Sequence, residues 1–143
     1  MTPDVKSYIA EDEEKFKVLF LEETLHPIST IVLMDLLGEG CNVDIATSGE
    51  VALPLIAKNR YDLVVSGMML YKVSGLDVLD VLRNTPEIAE TKFVIHSGLY
   101  TKKDRARTKK LGADDHIDAN GVSSRDLTKK LFKHLGIKKS KKK

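Results

Sequence analysis

The stretch YDLVVSGMMLYKVSG, residues 61–75, decides the fold of this chain. Residues 63–65 form a short apolar run, which is typical of a strand buried on both faces of a parallel sheet. The run ends at Gly67, and a loop leads from there to a helical pattern that begins at Gly75. In open α/β sheets the chemistry lies in the crevice at the carboxyl ends of the strands. We therefore expect the functional site at the end of this strand.

The composition is that of a soluble globular domain of ordinary size. The chain has 143 residues, of which 42% are hydrophobic and 31% are charged. No run approaches the roughly 18 apolar residues that a membrane span needs, and the acidic start of the chain is unlike a secretory signal. Cys41 is the single cysteine and is interpreted as a small buried apolar residue. We expect a cytoplasmic protein without a membrane span.

Charge divides the chain into an acidic part and a basic part. Residues 1–100 hold 8 Lys/Arg and 16 Asp/Glu, whereas residues 101–143 hold 15 and 5. We predict a flexible acidic segment over residues 1–15, a folded domain over 16–136 and a basic lysine tail over 137–143. The basic third is interpreted either as a solvated face with a solubilising tail or as a patch for an acidic partner or nucleic acid.

Five strand patterns alternate with five helical patterns, which predicts a parallel sheet with helices on both faces. The predicted strands are Phe16–Leu21, Asn42–Ala46, Leu63–Val65, Phe93–Ile95 and His116–Asp118. The helices are expected to begin near Leu25, Gly49, Gly75, Lys102 and Ser124. Pro54 lies deep in the second helix and should kink or shorten it.

The fourth helix, predicted over residues 102–111, has an unusually polar surface. Its apolar residues are Ala106 and Leu111 only, and six cations fill most of the remaining positions. Since packing supplies most helical stability in proteins, this helix should be the least firmly docked.

Four stretches together resemble the receiver domain of bacterial two-component response regulators. They are VLFLEE (18–23), TSGEVAL (47–53), YDLVVSGMML with SGLDVL (61–79), and LGADDHI (111–117). The resemblance covers about residues 17–135. It implies a flavodoxin-like (CheY-like) fold, a doubly wound five-stranded parallel sheet with strand order 2-1-3-4-5 and helices on both faces.

The resemblance also implies a chemistry, which is phosphoryl transfer from a histidine kinase to an aspartate. In that family Mg²⁺ is held by the aspartate and an acidic pair, and a lysine and a hydroxyl bind the phosphoryl oxygens. The matching positions here are Gly67 for the aspartate, Ala119 for the lysine, Glu22 and Glu23 for the acidic pair, Ser97 for the hydroxyl, His116 for the aromatic residue that reports phosphorylation, and Tyr71 for a proline.

These departures lead us to interpret the chain as a pseudo-receiver that has lost the phosphorylation chemistry. Neither Gly67 nor Ala119 can accept a phosphoryl group or a metal ion. We therefore predict no catalytic residue, no enzyme activity, no cofactor and no metal. Glu22 and Glu23 are expected to be solvated carboxylates at a strand end. His96 and His116 are interpreted as polar filling residues, with a pH-sensing role as the alternative.

Such a domain, by resemblance, signals through protein contacts. The predicted partner surface is formed by the fourth helix, the fifth strand and the fifth helix, with Arg105, Arg107 and Lys110 as its contact residues. The partner is expected to be a signalling protein with an acidic surface that acts in trans, because no output domain follows.

Two other functions are carried as alternatives. The first is a phosphorelay receiver that is still active through a non-standard site, against which Gly67 counts heavily. The second is a nucleic-acid-associated protein that works through the basic C-terminal third, but the lysines of the tail have no interleaved aromatic residues and no recognition motif.

Overall fold

A computed structural model describes residues 16–23, 27–68, 72–98 and 101–138 of the chain. The strands are β1 (Lys17–Leu21), β2 (Asn42–Ala46), β3 (Leu63–Ser66), β4 (Lys92–Ser97) and β5 (Asp115–Asp118). The helices are α1 (Pro27–Gly38), α2 (Gly49–Lys58), α3 (Gly75–Arg83), α4 (Lys102–Leu111) and α5 (Ser124–Leu135), and a single 3₁₀ turn spans Pro86–Ile88.

The five strands form one parallel sheet in the order β2-β1-β3-β4-β5, which confirms the predicted topology. Successive side chains of a strand point to opposite faces, and each face carries its own apolar cluster. Leu19, Leu21 and Val64 pack with α2 and α3. Val18 and Val65 pack on the other face with α1 and α5. The sheet is therefore covered by helices on both faces.

Local sequence signals place the helix ends correctly. The side chain of Ser48 accepts a hydrogen bond from the main chain of Val51 at the start of α2. Gly112 ends α4 in the left-handed conformation, with φ of 101°, a region where glycine carries no steric cost. The predicted shortening of α2 by Pro54 is not observed, because the helix runs to Lys58. Pro54 is exposed, so the carbonyl that its missing N–H would have bonded can face water.

The polar ends of three strands differ from the prediction. β3 reaches Ser66, one residue beyond the predicted end at Val65. β4 reaches Ser97, two residues beyond the predicted end at Ile95, and therefore includes His96. β5 begins one residue early, at Asp115. Ladder hydrogen bonds are made by the main chain, so polar side chains at a strand end do not stop the pairing.

The two apolar residues of α4 do not form its buried face. Ala106 is exposed, and Leu111 is only half-buried. Thr108, a polar residue, is instead the buried residue of this helix, with 1% of its surface exposed. Apolar character alone did not identify the face of α4 that meets the sheet.

Several predictions fall on residues outside the described ranges. They concern residues 1–15, Leu25, Tyr71 and residues 139–143. Within the described ranges, Ile137 packs against the cluster formed with α1 and α5, and its N–H donates to the carbonyl of Phe132 at 2.9 Å. None of the helices that the structure describes combines the length and the apolar character that crossing a bilayer would require.

Candidate functional site

The carboxyl ends of β1, β3, β4 and β5 meet at one edge of the sheet. Main-chain pairing continues past the strand ends, since the N–H of Gly67 donates to the carbonyl of Leu21 at 2.9 Å and the N–H of Ala119 donates to that of Ser97 at 3.1 Å. The structure thus brings Gly67, Ser97 and Ala119 to the same edge as the acidic pair. We call this region the crevice; it is formed by Glu22, Glu23, Gly67, Ser97 and Ala119.

Gly67 leaves the middle of the crevice without a side chain. Its backbone is not among the left-handed glycines, which are Gly40, Gly112 and Gly136. A Cβ built on Gly67 would have one heavy atom within 4 Å among the described residues, the Leu21 carbonyl oxygen at 3.9 Å. Neither backbone strain nor crowding at Cβ therefore requires glycine at this position.

The two acidic residues of the crevice have different environments. Glu22 is buried, with 5% of its surface exposed, and its Oε2 accepts a hydrogen bond from Oγ of Ser29 on α1 at 2.9 Å. Glu23 is exposed. The prediction of two solvated carboxylates is thus wrong for Glu22. Neighbouring residues in an extended chain point to opposite sides, and it is Glu22 that lies on the side of α1, where Ser29 contacts it.

Buried Glu22 has a histidine as its neighbour. Nδ1 of His96, on β4, lies 4.0 Å from Oε2 of Glu22, and His96 is 6% exposed. Sequence reasoning missed this pairing and the hydrogen bond from Ser29. The signal available in the sequence was His96 itself, a polar residue directly after the apolar residues Phe93, Val94 and Ile95.

The loop after β5 is held by Asn120, which occupies the position next to Ala119. Nδ2 of Asn120 donates to the carbonyl of Gly98 at 3.1 Å, and its main-chain N–H donates to Oδ1 of Asp118 at 2.9 Å. A Cβ at Gly98 would come within 2.7 Å of the Asn120 side chain. The two loops at this end of the crevice therefore fit together through glycine and asparagine, without a cation.

The crevice does not fit the Mg²⁺ ion that the resemblance implies. Gly67 offers no oxygen ligand, and one oxygen of Glu22 already accepts a hydrogen bond from Ser29. Among the described residues no group of three or more His, Cys, Asp or Glu side chains could hold a metal ion. Mg²⁺ sites need several oxygen ligands in octahedral geometry.

His116 occupies the centre of β5 and links this strand to α4. Its Nδ1 lies 3.1 Å from Oγ1 of Thr108, and that hydroxyl donates to the carbonyl of Arg105 at 2.9 Å. Both His116 and Thr108 are buried. This polar contact explains why threonine is the buried residue of α4.

The imidazole of His116 is held in an environment that disfavours its charged form. Burial lowers the pKa of His116 below its ordinary value of 6.5, and the nearby Arg105 lowers it further. Asp104, Asp115 and Asp118 act in the opposite direction without cancelling the effect. His116 is thus favoured as a neutral side chain at neutral pH.

The three predicted contact residues of α4 are all exposed, but they lie on two sides of the helix. Arg107 and Lys110 line a groove of about 330 Å³ between α4 and α3, together with Leu76, Asp77, Asp80 and Leu111. Arg105 is instead close enough to His116 on β5 to lower its pKa. The predicted surface is therefore divided between a groove with acidic residues on its other wall and the side next to β5.

Arg83 is a structural residue that sequence reasoning missed. Its guanidinium donates to the carbonyls of Gly112, Ala89 and Thr91 and forms an ion pair with Asp114 at 3.0 Å. These bonds join the end of α3 to the turn between α4 and β5. The partners in Gly112 and Asp114 are 29 and 31 residues away along the sequence, so no local pattern predicts these contacts.

Comparison with known proteins identifies the class of this fold and site. The model of the response regulator receiver domain family matches residues 25–132. The uncharacterized transcriptional regulatory protein YcbL of Bacillus subtilis (strain 168) is 33% identical over 111 residues, covering 78% of this chain and 47% of YcbL. The transcriptional regulatory protein CpxR of Escherichia coli (strain K12) is 36% identical over 89 residues, covering 62% of this chain and 37% of CpxR.

Solved structures show the same fold. The chemotaxis response regulator CheY4 of Vibrio cholerae superposes with a TM-score of 0.74 at 21% identity, covering 84% of this chain and 98% of that one. The receiver domain of the Francisella response regulator 1452 gives 0.73 at 24% identity, covering 85% and 98%.

This chain belongs to the response regulator receiver domain family of two-component signalling. It spans less than half the length of the two curated relatives described above.

Proposed function

We propose that this receiver domain signals through phosphorylation-independent contact with a partner protein. The observation that carries the proposal is Gly67, which stands at the end of β3 where the family places its phosphoacceptor aspartate. A nucleophilic mechanism requires a nucleophilic side chain at the reacting position, and glycine has no side chain. Ala119 adds to the argument, because the cation that would stabilise the phosphoryl oxygens has no counterpart at its position.

Neighbouring hydroxyls offer weak support for a non-standard phosphoacceptor. Ser66 is fully buried, and its Oγ donates to the carbonyl of Gly67 at 2.6 Å. A serine hydroxyl also needs a general base to act as a nucleophile, and none contacts Ser66 in the described hydrogen bonds. We therefore favour the interaction module over an active phosphorelay receiver.

The partner surface that we propose consists of α4, β5 and α5, with Arg105 as the residue on the β5 side. The basic charge of residues 101–143 supports a partner with an acidic surface, since complementary charge steers association and selects partners. We also propose that residues 16–136 form the functional unit, with residues 1–15 and 137–143 as flanking segments.

Phosphorylation assays test this function directly. The purified chain should show no one-phosphate mass shift after incubation with acetyl phosphate and Mg²⁺, and no Mg²⁺-dependent spectral change near Ser97 with beryllofluoride. A typical receiver domain with its aspartate intact provides the positive control. A stable one-phosphate adduct on the wild-type chain would overturn the proposal.

A second candidate function is association with nucleic acid, which is favoured by the 15 Lys/Arg residues among positions 101–143. Binding through phosphate contacts loses affinity steeply as salt rises and is insensitive to sequence. Titration of unrelated DNA and RNA duplexes at two salt concentrations tests it. Absence of binding at low salt would remove this candidate.

A further inference from the structure

Glu22, Gly67 and His96 lie in one row across the sheet. Leu21 pairs with Ser66, and Ser66 pairs with Ile95. One step further along each strand comes Glu22 on β1, Gly67 on β3 and His96 on β4.

Alternation places the members of this row on the same face. Phe20, Val65 and Val94, two residues before each member, all belong to the cluster packed with α1 and α5. The hydrogen bond from Ser29 of α1 to Glu22 agrees with this placement. A side chain at position 67 would therefore point to the face that Glu22 and His96 occupy.

The side chains of Glu22 and His96 approach each other over the central strand. β1 and β4 are not neighbours, and two inter-strand spacings separate them by about 9.6 Å. The atoms Oε2 of Glu22 and Nδ1 of His96 are nonetheless 4.0 Å apart. The two side chains therefore extend towards each other over Gly67, which has no side chain to occupy the space between them.

Both side chains are isolated from water, which makes their proximity important. Glu22 is 5% exposed and His96 is 6% exposed. Within the described part of the chain, Oε1 of Glu22 and Nε2 of His96 have no hydrogen-bond partner. A buried carboxylate is costly unless it is paired and hydrogen-bonded, and among the described residues its polar partners are Ser29 and His96.

We infer that Gly67 is the residue that admits a buried Glu22–His96 pair, and that this pair ties β1 to β4 across β3 in place of the phosphoacceptor. The inference rests on the proposed function, because it explains how a crevice without that chemistry is kept ordered. It assigns His96 the role of a positioning residue for Glu22. It also means that position 67 and position 96 are energetically coupled.

A double-mutant cycle on the full chain tests the coupling. Gly67→Ala should be tolerated, since its Cβ fits, whereas Gly67→Asn extends into the space between the two side chains. We expect Gly67→Asn to lower the folding equilibrium constant at least several-fold in denaturant titrations. In a His96→Val background the decrease in the folding equilibrium constant caused by Gly67→Asn should be roughly threefold to tenfold smaller, as is usual for residues in contact.

Ile95→Val provides the matched control, because Ile95 belongs to the cluster on the opposite face and should show no coupling with position 67. If Gly67→Asn does not fold, Gly67→Ser replaces it in the same cycle. The ¹H and ¹³C chemical shifts of the His96 ring provide a second measurement. They should change in Gly67→Ser and stay close to the wild-type values in Ile95→Val.

Additive effects of positions 67 and 96, or a His96 ring unaffected by Gly67→Ser, would overturn the inference. Either result would leave the proposed function standing, because that function is decided by the phosphorylation assay. A phosphate adduct on the wild-type chain would instead refute the proposed function, whatever the cycle shows.

Discussion

Single side chains at the crevice determine what this receiver domain can do. Position 67 lacks the carboxylate, and position 119 lacks the cation, yet the backbone at both positions is held by the same ladder that joins β1, β3, β4 and β5. On the assignment that we propose for these two positions, the scaffold of the reaction is retained while two of its reacting groups are not. Because the backbone at Gly67 is unstrained, any cost of a larger side chain there should come from Glu22 and His96.

Restoring the missing groups should restore cation binding. Gly67→Asp together with Ala119→Lys places a carboxylate and a cation beside the acidic pair and Ser97, and we expect measurable Mg²⁺ binding by calorimetry where the wild type shows none. Oxygen ligands are what Mg²⁺ requires. Adding His96→Val should tighten that binding, because the new carboxylate no longer competes with the imidazole for space.

The matched control is Gly67→Asn with Ala119→Lys, which has side chains of the same size and the same new cation but lacks the new carboxylate. If the folded Gly67→Asp/Ala119→Lys protein binds no more Mg²⁺ than this control, the assignment of the crevice positions is wrong.

His116 should make the stability of the domain depend on pH. Its pKa is lowered in the folded state by burial and by Arg105, so the unfolded chain binds more protons between that lowered pKa and the ordinary value of 6.5. Stability is then fully present above about pH 6.5 and declines as pH falls towards the folded pKa. Urea unfolding at a series of pH values measures the slope.

His116→Phe is the variant that isolates this effect, because phenylalanine keeps a buried ring but carries no proton. Its free energy of unfolding should fall less than that of the wild type between pH 7 and pH 5. Equal slopes for the two proteins would show that His116 is not the titrating group.

Among the helices, α4 has the weakest apolar attachment. α3 buries Leu76, Val78, Leu79 and Leu82, whereas the buried residue of α4 is Thr108. Two features compensate in part: a capping box formed by Thr101 and Asp104 at its start, and Gly112 at its end. The helix is thus well defined locally but depends on a polar contact for its docking.

Amide exchange should report this difference. We expect faster exchange in α4 than in α3, because local opening costs less where few apolar contacts are broken. Thr108→Val, which keeps the shape but loses the contact with His116, should accelerate exchange in α4 and lower stability by about 1 kcal/mol. Protection of α4 equal to that of α3 would contradict the weak docking.

At the scale of the whole molecule, charge is separated between an acidic part and a basic part. Residues 1–100 carry a net charge of −8 and residues 101–143 one of +10. Exposed charges contribute little to stability, so this separation is better suited to recognition than to folding. The structure further divides the cations of α4 between the groove with α3 and the side next to β5.

Charge reversal can tell these two sides apart. If α4, β5 and α5 form the partner surface, Arg105→Glu should weaken capture of the partner from native lysate, while the pair Arg107→Glu and Lys110→Glu should weaken it less. Binding should also fall as salt rises. All variants should keep the wild-type unfolding midpoint, and loss of binding only in the Arg107/Lys110 pair would move the interface to the groove.

Removal of residues 138–143 tests the tail separately. Loss of partner binding in this truncation, with Arg105→Glu unaffected, would indicate a contact made by the lysine tail alone. Binding that is indifferent to both changes and to salt would rule out a basic interaction surface.

Local patterns in the sequence determined the elements and their order. Apolar runs marked the buried strands, Ser48 and Gly112 marked helix ends, and the stretches around Gly67 and Gly112 carried the resemblance that predicted the sheet order. These features depend on chemistry within a few residues. The identity of each crevice position could likewise be read directly, since Gly67 and Ala119 need no structure to be recognised as lacking a carboxylate and a cation.

Tertiary structure alone decided the environment of the polar residues. Glu22 is buried and Glu23 exposed, His96 meets Glu22 across a strand, Thr108 anchors α4 through His116, and Arg83 joins segments some 30 residues apart. A polar residue carries no signature of burial in the sequence, because its cost is decided by partners that only folding brings near. The roles of these residues therefore follow from contacts between strands and helices, and not from the residues themselves.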